Sequence, residues 1–421
     1  MPHIAPGVFA AIFVSPLYRG SWMPITKLID SLRPALGDPS LPTVTAWKQA
    51  HPGGKAVGCF PVYAPVELIH AAGMLPVTVA GAAGQVKLCQ ADGFLQAFIC
   101  MIGRSTLELE LGGFLSSIDG MLFPSICEVS RGLSGVWTRL GTSKPAFYVR
   151  FPQNLDSAHA VDYLTHELGR LRSALEQVAG TEITDEALIE SFRVYNQRAQ
   201  RLAELDRLRA ARPERLAGSE FYILRLAGMA IPPEEHTALL TRALEAAQST
   251  PGRPQPRLRM TLMGTFCERP PLGMLEVIEE AGVAIVADDI LLGQRWWSVP
   301  LPQSGDPFRA LAEHYVAHSA ICPVVHRSTR ELRESVRRRT VEPSADGVII
   351  ANAKFCHPAL YESTRVLRGC EKAGFPYLKM EFEEDMRTFE PMRTQVEALI
   401  EARERLPFAG TENGRERWQD L

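Results

Sequence analysis

From Lys55 onward, short apolar runs alternate with longer stretches whose apolar residues recur every three or four positions. The short runs have the length of buried strands and the longer stretches have helical period. KAVGCFPVY leads into PVELIHAA and then LPVTVAG, with Pro65 opening the helix and Gly73 closing it. The unit returns after Gly120 as GMLFPSIC, EVSRGLSGVWTRL and PAFYVRFP. It returns again as LRMTLMG, PPLGMLEVIEEAG and VAIVADD, and a last time as DGVIIANAKFC, HPALYESTRVLRGCEKAG and FPYLKMEF.

Between these groups the pattern changes. YLTHELGRLRSALEQV and ALIESFRVYNQRAQRLAELDRLRAAR carry periodic Leu and Ala among many Arg and Glu, the mark of amphipathic helices. STPGRPQP, residues 249–256, reads as a linker. Strand–helix–strand units of this length force right-handed crossovers and parallel sheets. The expected fold is α/β, with two doubly wound parallel-sheet domains and an intervening helical segment. The expected division is an N-terminal extension over 1–50, a first α/β domain over 51–155, a helical segment and linker over 156–255, and a second α/β domain over 256–421.

Composition narrows the function. A chain of 421 residues, 46% apolar, can build more than one core. Its net charge of −3 supplies no basic field for nucleic acid. No apolar run reaches the roughly 18–20 residues of a membrane span. The run GVFAAIFVSPLY lacks a basic leader and reads as packed structure rather than a secretion signal, so a cytoplasmic location is expected. Eight cysteines are too few for a disulfide scaffold in so long a chain, and no CxxC pair occurs.

Three cysteines share one position. Cys127 follows the strand GMLFPSI, Cys267 follows LRMTLMGTF and Cys356 follows GVIIANAKF, each just before a helix start. In open α/β sheets that carboxyl edge is where ligands bind. Helix N-termini favour thiolate over thiol there. Three thiolates at such a cleft select a soft metal, iron–sulfur foremost, with one iron left open. Core filling remains the simpler reading of any one of them.

These segments resemble the subunit family shared by 2-hydroxyacyl-CoA dehydratases and ATP-dependent benzoyl-CoA reductases. GCFPVYAPVELIHAAGMLPVTVAG is similar to the family's first unit, and IDGMLFPSICEVSRG, GTFCERPPLGMLEVIEEAGVAIVADD and DGVIIANAKFCHP to its three cysteine segments. VDYLTHELGRL and ITDEAL resemble its middle. The resemblance runs from about Gly58 to Asp385. It implies a [4Fe-4S] cluster on Cys127, Cys267 and Cys356, and a homologous cluster-bearing sister subunit. It also implies an ATP-hydrolysing iron–sulfur activator fed by a ferredoxin-like donor, and an aromatic acyl-CoA substrate. CERPPLG followed by VADDILLGQRWW leans toward the benzoyl-CoA reductase branch. Dehydration of a 2-hydroxyacyl-CoA through a ketyl radical is the alternative, and a non-catalytic electron relay is a third reading.

Glu128, Glu268 and His357 each follow one of the three cysteines and are candidates to approach the open iron or give a proton; helix capping or solvent exposure is the plainer reading. Asp288 and Asp289 close a strand at the same edge, and Trp296 and Trp297 could wall a pocket or make a domain contact. His314, His318, Cys322 and His326 stand four apart, but Pro323 breaks the helix a zinc site would need, and helix packing is favoured. Cys59, Cys89, Cys100 and Cys370 read as core. Neither G-x-x-x-x-G-K-[ST] nor a GxGxxG after a strand occurs, so activated electrons would have to come from another chain.

Overall fold

The computed structural model describes residues 23–141, 144–264, 267–292, 299–318, 324–325, 334, 336–340 and 343–405. Trp296, Trp297, Cys322 and His326 lie outside them. The chain opens with α1 (Ile25–Leu36) and α2 (Pro42–Ala50). The first sheet group is β1 (Ala56–Cys59), α3 (Val66–Ala71), β2 (Leu75–Thr78), α4 (Met101–Leu111), β3 (Gly120–Pro124), α5 (Glu128–Arg139) and β4 (Ala146–Val149). Four helices follow: α6 (Ala160–Ala179), α7 (Asp185–Ala211), α8 (Gly218–Ala227) and α9 (Pro233–Ser249). The second group is β5 (Leu258–Met263), α10 (Leu272–Glu280), β6 (Val283–Asp288), α11 (Pro307–His318), β7 (Gly347–Ala353), α12 (His357–Ala373), β8 (Tyr377–Phe382) and α13 (Glu390–Arg405).

Both sheets are parallel and four-stranded, ordered β2-β1-β3-β4 and β6-β5-β7-β8. The α/β class with two parallel sheets and helices is therefore what the apolar periodicity indicated. β1, β3, β5, β6 and β7 are buried along all or nearly all of their length, which is why they read as continuous apolar runs. In each sheet the strand order reverses at a central pair, β1/β3 in the first and β5/β7 in the second. These are the switch points where adjacent connections leave in opposite directions and open a crevice.

The N-terminal helices are part of the packed body. Ile25, Leu28, Ile29 and Leu32 of α1 pack in one buried cluster with Phe221, Leu224, Leu239 and Leu240 of α8 and α9. A larger core runs without a break from the first sheet through α6 and α7 to the second. Between the two sheet groups, Glu384 acts as a clasp. Its carboxylate accepts from Ala82 N at 2.8 Å, Gly84 N at 3.1 Å and Ser105 Oγ at 2.9 Å. Gly81, at φ 73°, has no room for a side chain because a Cβ there would lie 2.1 Å from Glu384 Oε2.

Candidate functional site

The site is built at the carboxyl edges of the two sheets. Cys127 leaves β3 and caps α5, its sulfur accepting from Ser130 N at 3.4 Å. Cys356 leaves β7 and occupies the cap position of α12. Cys267 follows β5, whose exit turns at Gly264. Gly264 has φ 95°, and a Cβ there would sit 2.7 Å from Asn352 Oδ1, so only glycine passes so close to β7. The three cysteines come from three strands at the two switch points.

They share one environment. The Cys267 thiol donates to the Cys356 sulfur, and that bond lowers the Cys356 pKa while raising that of Cys267 well above the usual range. Burial pushes Cys127 up to about 11, with Cys356 adding to it against the Ser130 N–H. Helix N-termini favour thiolate, and the Ala359 N–H acts in that sense at Cys356. Burial outweighs the cap donors at Cys127, and gathered negative sulfurs oppose one another. A donor set that pays this electrostatic penalty fits a multiply charged soft metal centre that would neutralise it. Among the described residues no three His, Cys, Asp or Glu side chains gather tightly enough to hold a single ion. A polynuclear cluster makes no such demand, since each thiolate takes a different iron.

A fourth thiol belongs to this neighbourhood. Cys100 is buried at the cap position of α4, and its proton is held by burial and by the charges of Glu268, Cys356 and Cys127. Its reading as core stands, while the strand–helix grammar did not mark its nearness to the other cysteines because a loop, not a strand, precedes it. The signal available was its place immediately before a helix, which it shares with Cys127 and Cys356.

The three candidate acids and bases part company. Glu128 is exposed and pairs with Arg131 at 2.7 Å, and His357 is exposed. Glu268 is 1% exposed, and the Ile102 backbone N–H is the hydrogen bond that favours its charged form. Burial first, then the charges of Glu384 and Cys356, hold it protonated. Asp288 and Asp289 are structural. Burial alone would raise Asp288, but Arg225 at 2.9 Å and Arg209 at 2.5 Å overcome it and lower its pKa. Asp289 pairs with buried Arg339 at 2.6 Å.

At the carboxyl ends of β1 and β2 lies a cavity of about 200 Å³, lined by Phe60, Val62, Tyr195, Tyr222, Leu291 and Tyr315 among others. A dry cavity of about 150 Å³ holds benzene, so one aromatic ring fits. Glu67 lies in its wall, accepting from the Tyr315 hydroxyl at 3.2 Å, and burial raises its pKa to about 7. Arg198 also faces the cavity and donates from Nε to His236 Nδ1 at 2.9 Å. His236 is therefore the neutral tautomer, donating from Nε2 to Leu224 O, and burial keeps its pKa well below normal. His314 and His318 line this cavity too, their rings 5.4 Å apart. Burial lowers His314 to about 4, as for a packed neutral ring. Cys59, in the same wall, and Cys370, inside α12, are each pushed to about 12 by burial, as inert core thiols. Cys89 is exposed, so its reading as core is corrected: it lies in the loop after β2, where the chain runs over the surface before α4.

Backbone strain collects at this edge. Val62, Tyr63, Leu291 and Phe355 all have left-handed φ, at 62°, 54°, 51° and 66°. Val62 is β-branched, for which this region is an outlier. Such residues cost about 1–3 kcal/mol each and persist where surroundings impose them, most often at functional sites.

The family described as 2-hydroxyglutaryl-CoA dehydratase, D-component, matches residues 61–402. The chain belongs to that family. It is 36% identical over 355 residues to a subunit of the benzoyl-CoA reductase of Thauera aromatica, covering 83% of this chain and 91% of the relative. It is 28% identical to the (R)-phenyllactyl-CoA dehydratase beta subunit of Clostridium sporogenes, covering 83% and 92%. It is 26% identical to the beta subunit of the (R)-2-hydroxyglutaryl-CoA dehydratase of Acidaminococcus fermentans, covering 90% and 100%. The family match covers Cys127, Cys267 and Cys356 and the strands that precede them. Among the described residues, no helix is long and apolar enough to cross a membrane.

Proposed function

We propose that this chain is a [4Fe-4S]-bearing subunit of an ATP-dependent aryl-CoA reductase, with Cys127, Cys267 and Cys356 as the cluster ligands. The observation that carries the reading is the arrival of half-buried Cys127 and buried Cys267 and Cys356 from both sheets at the carboxyl edge, with Cys267 hydrogen-bonded to Cys356 and Cys127 within electrostatic reach of both. The cluster, when bound, supplies single low-potential electrons. The chain's own residues do the rest. The cavity takes the aromatic ring and excludes water. Arg198 places positive charge where the thioester carbonyl gathers negative charge. Glu67, near half-protonated at neutral pH, donates a proton through the Glu67–Tyr315 wall. Glu268 stands as a neutral carboxyl beside the cysteines, and Glu128 and His357 form the solvent rim that a docked partner covers.

The names of the relatives, all subunits of CoA-thioester enzymes, support a hetero-oligomer. Its expected members are a homologous cluster-bearing subunit and an ATP-hydrolysing iron–sulfur activator supplied by a ferredoxin-like donor. A cytoplasmic location is part of the same reading. The higher identity to the reductase relative favours reduction of benzoyl-CoA to a cyclic diene. The 28% relative keeps one second reading in view, dehydration of a 2-hydroxyacyl-CoA through a ketyl radical. A ring-sized cavity at the carboxyl edge of the first sheet speaks against a pure relay role. The deciding measurement is ATP hydrolysed per product in an anaerobic assay of the complex with benzoyl-CoA. A fixed, substrate-dependent ratio is expected. A brief ATP priming followed by many turnovers on a 2-hydroxyacyl-CoA would replace the reductase with the dehydratase.

A further inference from the structure

The ring-sized cavity holds one charge that its walls do not pair. Arg198 of α7 is half-buried in the wall, and burial lowers its pKa because its charge is unfavourable there. It donates from Nε to His236 Nδ1 at 2.9 Å, and that ring is neutral. Among the described residues no carboxylate lies within ion-pair distance of Arg198, and Glu67 acts on it only through its charge. Arg209, Arg225 and Arg339, by contrast, each hold an aspartate within 2.9 Å.

Around that charge the lining is apolar and aromatic. Phe60, Val62, Tyr222 and Leu291 contribute to it, and the guanidinium lies over the Tyr195 ring at 5.7 Å. The Phe151 ring packs 5.5 Å from Tyr315 and 5.3 Å from Tyr63, an aromatic layer that closes the cavity behind Tyr315. A desolvated cation is unfavourable until an anion pairs with it. A thioester carbonyl is uncharged and leaves much of that penalty in place. A carboxylate removes it, and its two oxygens match the planar fork of a guanidinium. The apolar walls do not replace the hydration of an inorganic anion, but they do receive a ring.

We propose that this cavity also binds the free aromatic carboxylate, benzoate in the simplest case, in competition with the aryl-CoA thioester. The ring of the acid takes the place of the thioester's ring, and its carboxylate pairs with Arg198. This inference rests on the reading of the cavity as the ring site. It adds that the free acid is itself recognised and restrains turnover until it has been converted to the thioester. Glu67 sets the pH dependence. Facing it are Tyr315 from α11, Arg198 and Tyr195 from α7, Cys59 from β1 and His70 from its own helix. Two carboxylates beside one guanidinium do not both stay ionised. Below about pH 7 Glu67 is already protonated, so binding there is indifferent to pH. Above it each benzoate bound brings in one proton, and affinity falls by up to about tenfold per pH unit.

The test uses the anaerobically purified complex, as wild type and as Arg198→Met, Arg198→Lys and Glu67→Gln, with iron content confirming intact assembly. Calorimetry at pH 6.5 and pH 8.5 measures binding of benzoate, benzamide, acetate and benzoyl-CoA. At pH 6.5 the wild type is expected to bind benzoate at least tenfold more tightly than uncharged benzamide or ringless acetate. Benzoyl-CoA is expected to displace the benzoate. Between pH 6.5 and pH 8.5 benzoate affinity is expected to fall tenfold or more in the wild type and to stay level in Glu67→Gln. Arg198→Met is expected to abolish the preference for benzoate over benzamide, and Arg198→Lys to keep part of it. Equal wild-type binding of benzoate and benzamide overturns the inference, whether or not Arg198→Met assembles. Undiminished benzoate affinity in an iron-replete Arg198→Met complex, or benzoate that benzoyl-CoA does not displace, overturns it as well. In each of these cases benzoyl-CoA binding by the same wild-type complex leaves the reductase reading standing. A wild-type complex that binds benzoate but no aryl-CoA brings down the functional reading alone, and one that binds neither brings down both.

Discussion

Replacing Glu67 with Gln removes a titrating group while keeping its shape and its hydrogen bond from Tyr315. Burial raises the Glu67 pKa from 4.5 to about 7 in the folded chain. Arg198, His70 and the Tyr315 hydroxyl pull the other way without cancelling it. At about 1.4 kcal/mol for each tenfold change in proton affinity, the shift is worth about 3 kcal/mol. Its sign follows from proton counting. Between pH 4.5 and 7 the folded chain keeps a proton that the unfolded chain has lost. The stabilising contribution is therefore complete below pH 4.5 and is lost as pH rises through about 7. Glu67→Gln lacks this dependence. Relative to wild type, the variant should match it near pH 4.5 and be more stable by about 3 kcal/mol at pH 8. Urea unfolding of both forms at pH 5 and pH 8, with equal m values, gives the double difference and cancels every other titrating group. Stability curves that stay parallel from pH 5 to pH 8 would refute the burial argument for Glu67. Turnover gives a companion readout. A proton donor with a pKa near 7 makes wild-type kcat fall above neutral pH, and the variant should be slow with that limb missing.

Cys127→Ser, Cys267→Ser and Cys356→Ser should each remove most of the iron and sulfide from the anaerobically purified complex. Cys59→Ser and Cys370→Ser should keep it and lose about 1–3 kcal/mol of stability; full iron retention in any of the first three would falsify the ligand assignment. Asp288→Asn leaves Arg209 and Arg225 buried with weakened partners, and about 3–5 kcal/mol of unfolding free energy should be lost in denaturant titration. Glu384→Ala strands the Ala82, Gly84 and Ser105 donors. It should cost about 2–4 kcal/mol, and limited proteolysis should then cut between the sheet groups before either is degraded.

What was legible in the sequence follows from what periodicity encodes. Strands buried on both faces leave continuous apolar runs, so LRMTLMG and GVIIANA identify β5 and β7 without tertiary information. A cysteine after such a run marks the carboxyl edge, which is why Cys127, Cys267 and Cys356 could be singled out together. Residues 25–50 could not be read as two packed helices, because α1 buries its apolar stripe on α8 and α9, far along the chain. Cys100, read as core and found buried, and Glu67 show the same limit. Nothing local to Glu67 reports that Tyr315 donates to it across the core. Nothing local to Cys100 reports that Glu268 and Cys356 sit nearby. Asp288 and Asp289 drew notice by closing a strand at the same edge, and only the arrival of Arg209, Arg225 and Arg339 shows that their charges are already satisfied.

The strained residues tie the two levels together. Val62 and Tyr63 follow β1, Leu291 follows β6 and Phe355 precedes Cys356, and all four take a backbone conformation that local propensity opposes. A sequence tuned only for stability would place Gly or Asn at these positions, at a gain of about 1 kcal/mol or more each. Bulky side chains are kept instead because they line or back the crevice: Val62 and Leu291 face the cavity, Tyr63 joins the aromatic layer beneath it, and Phe355 sets the turn that delivers Cys356. The same edge therefore gathers backbone strain, buried acids with raised pKa and thiols held close together. Each is unfavourable alone, and a bound metal centre and an aromatic thioester are what would offset all three.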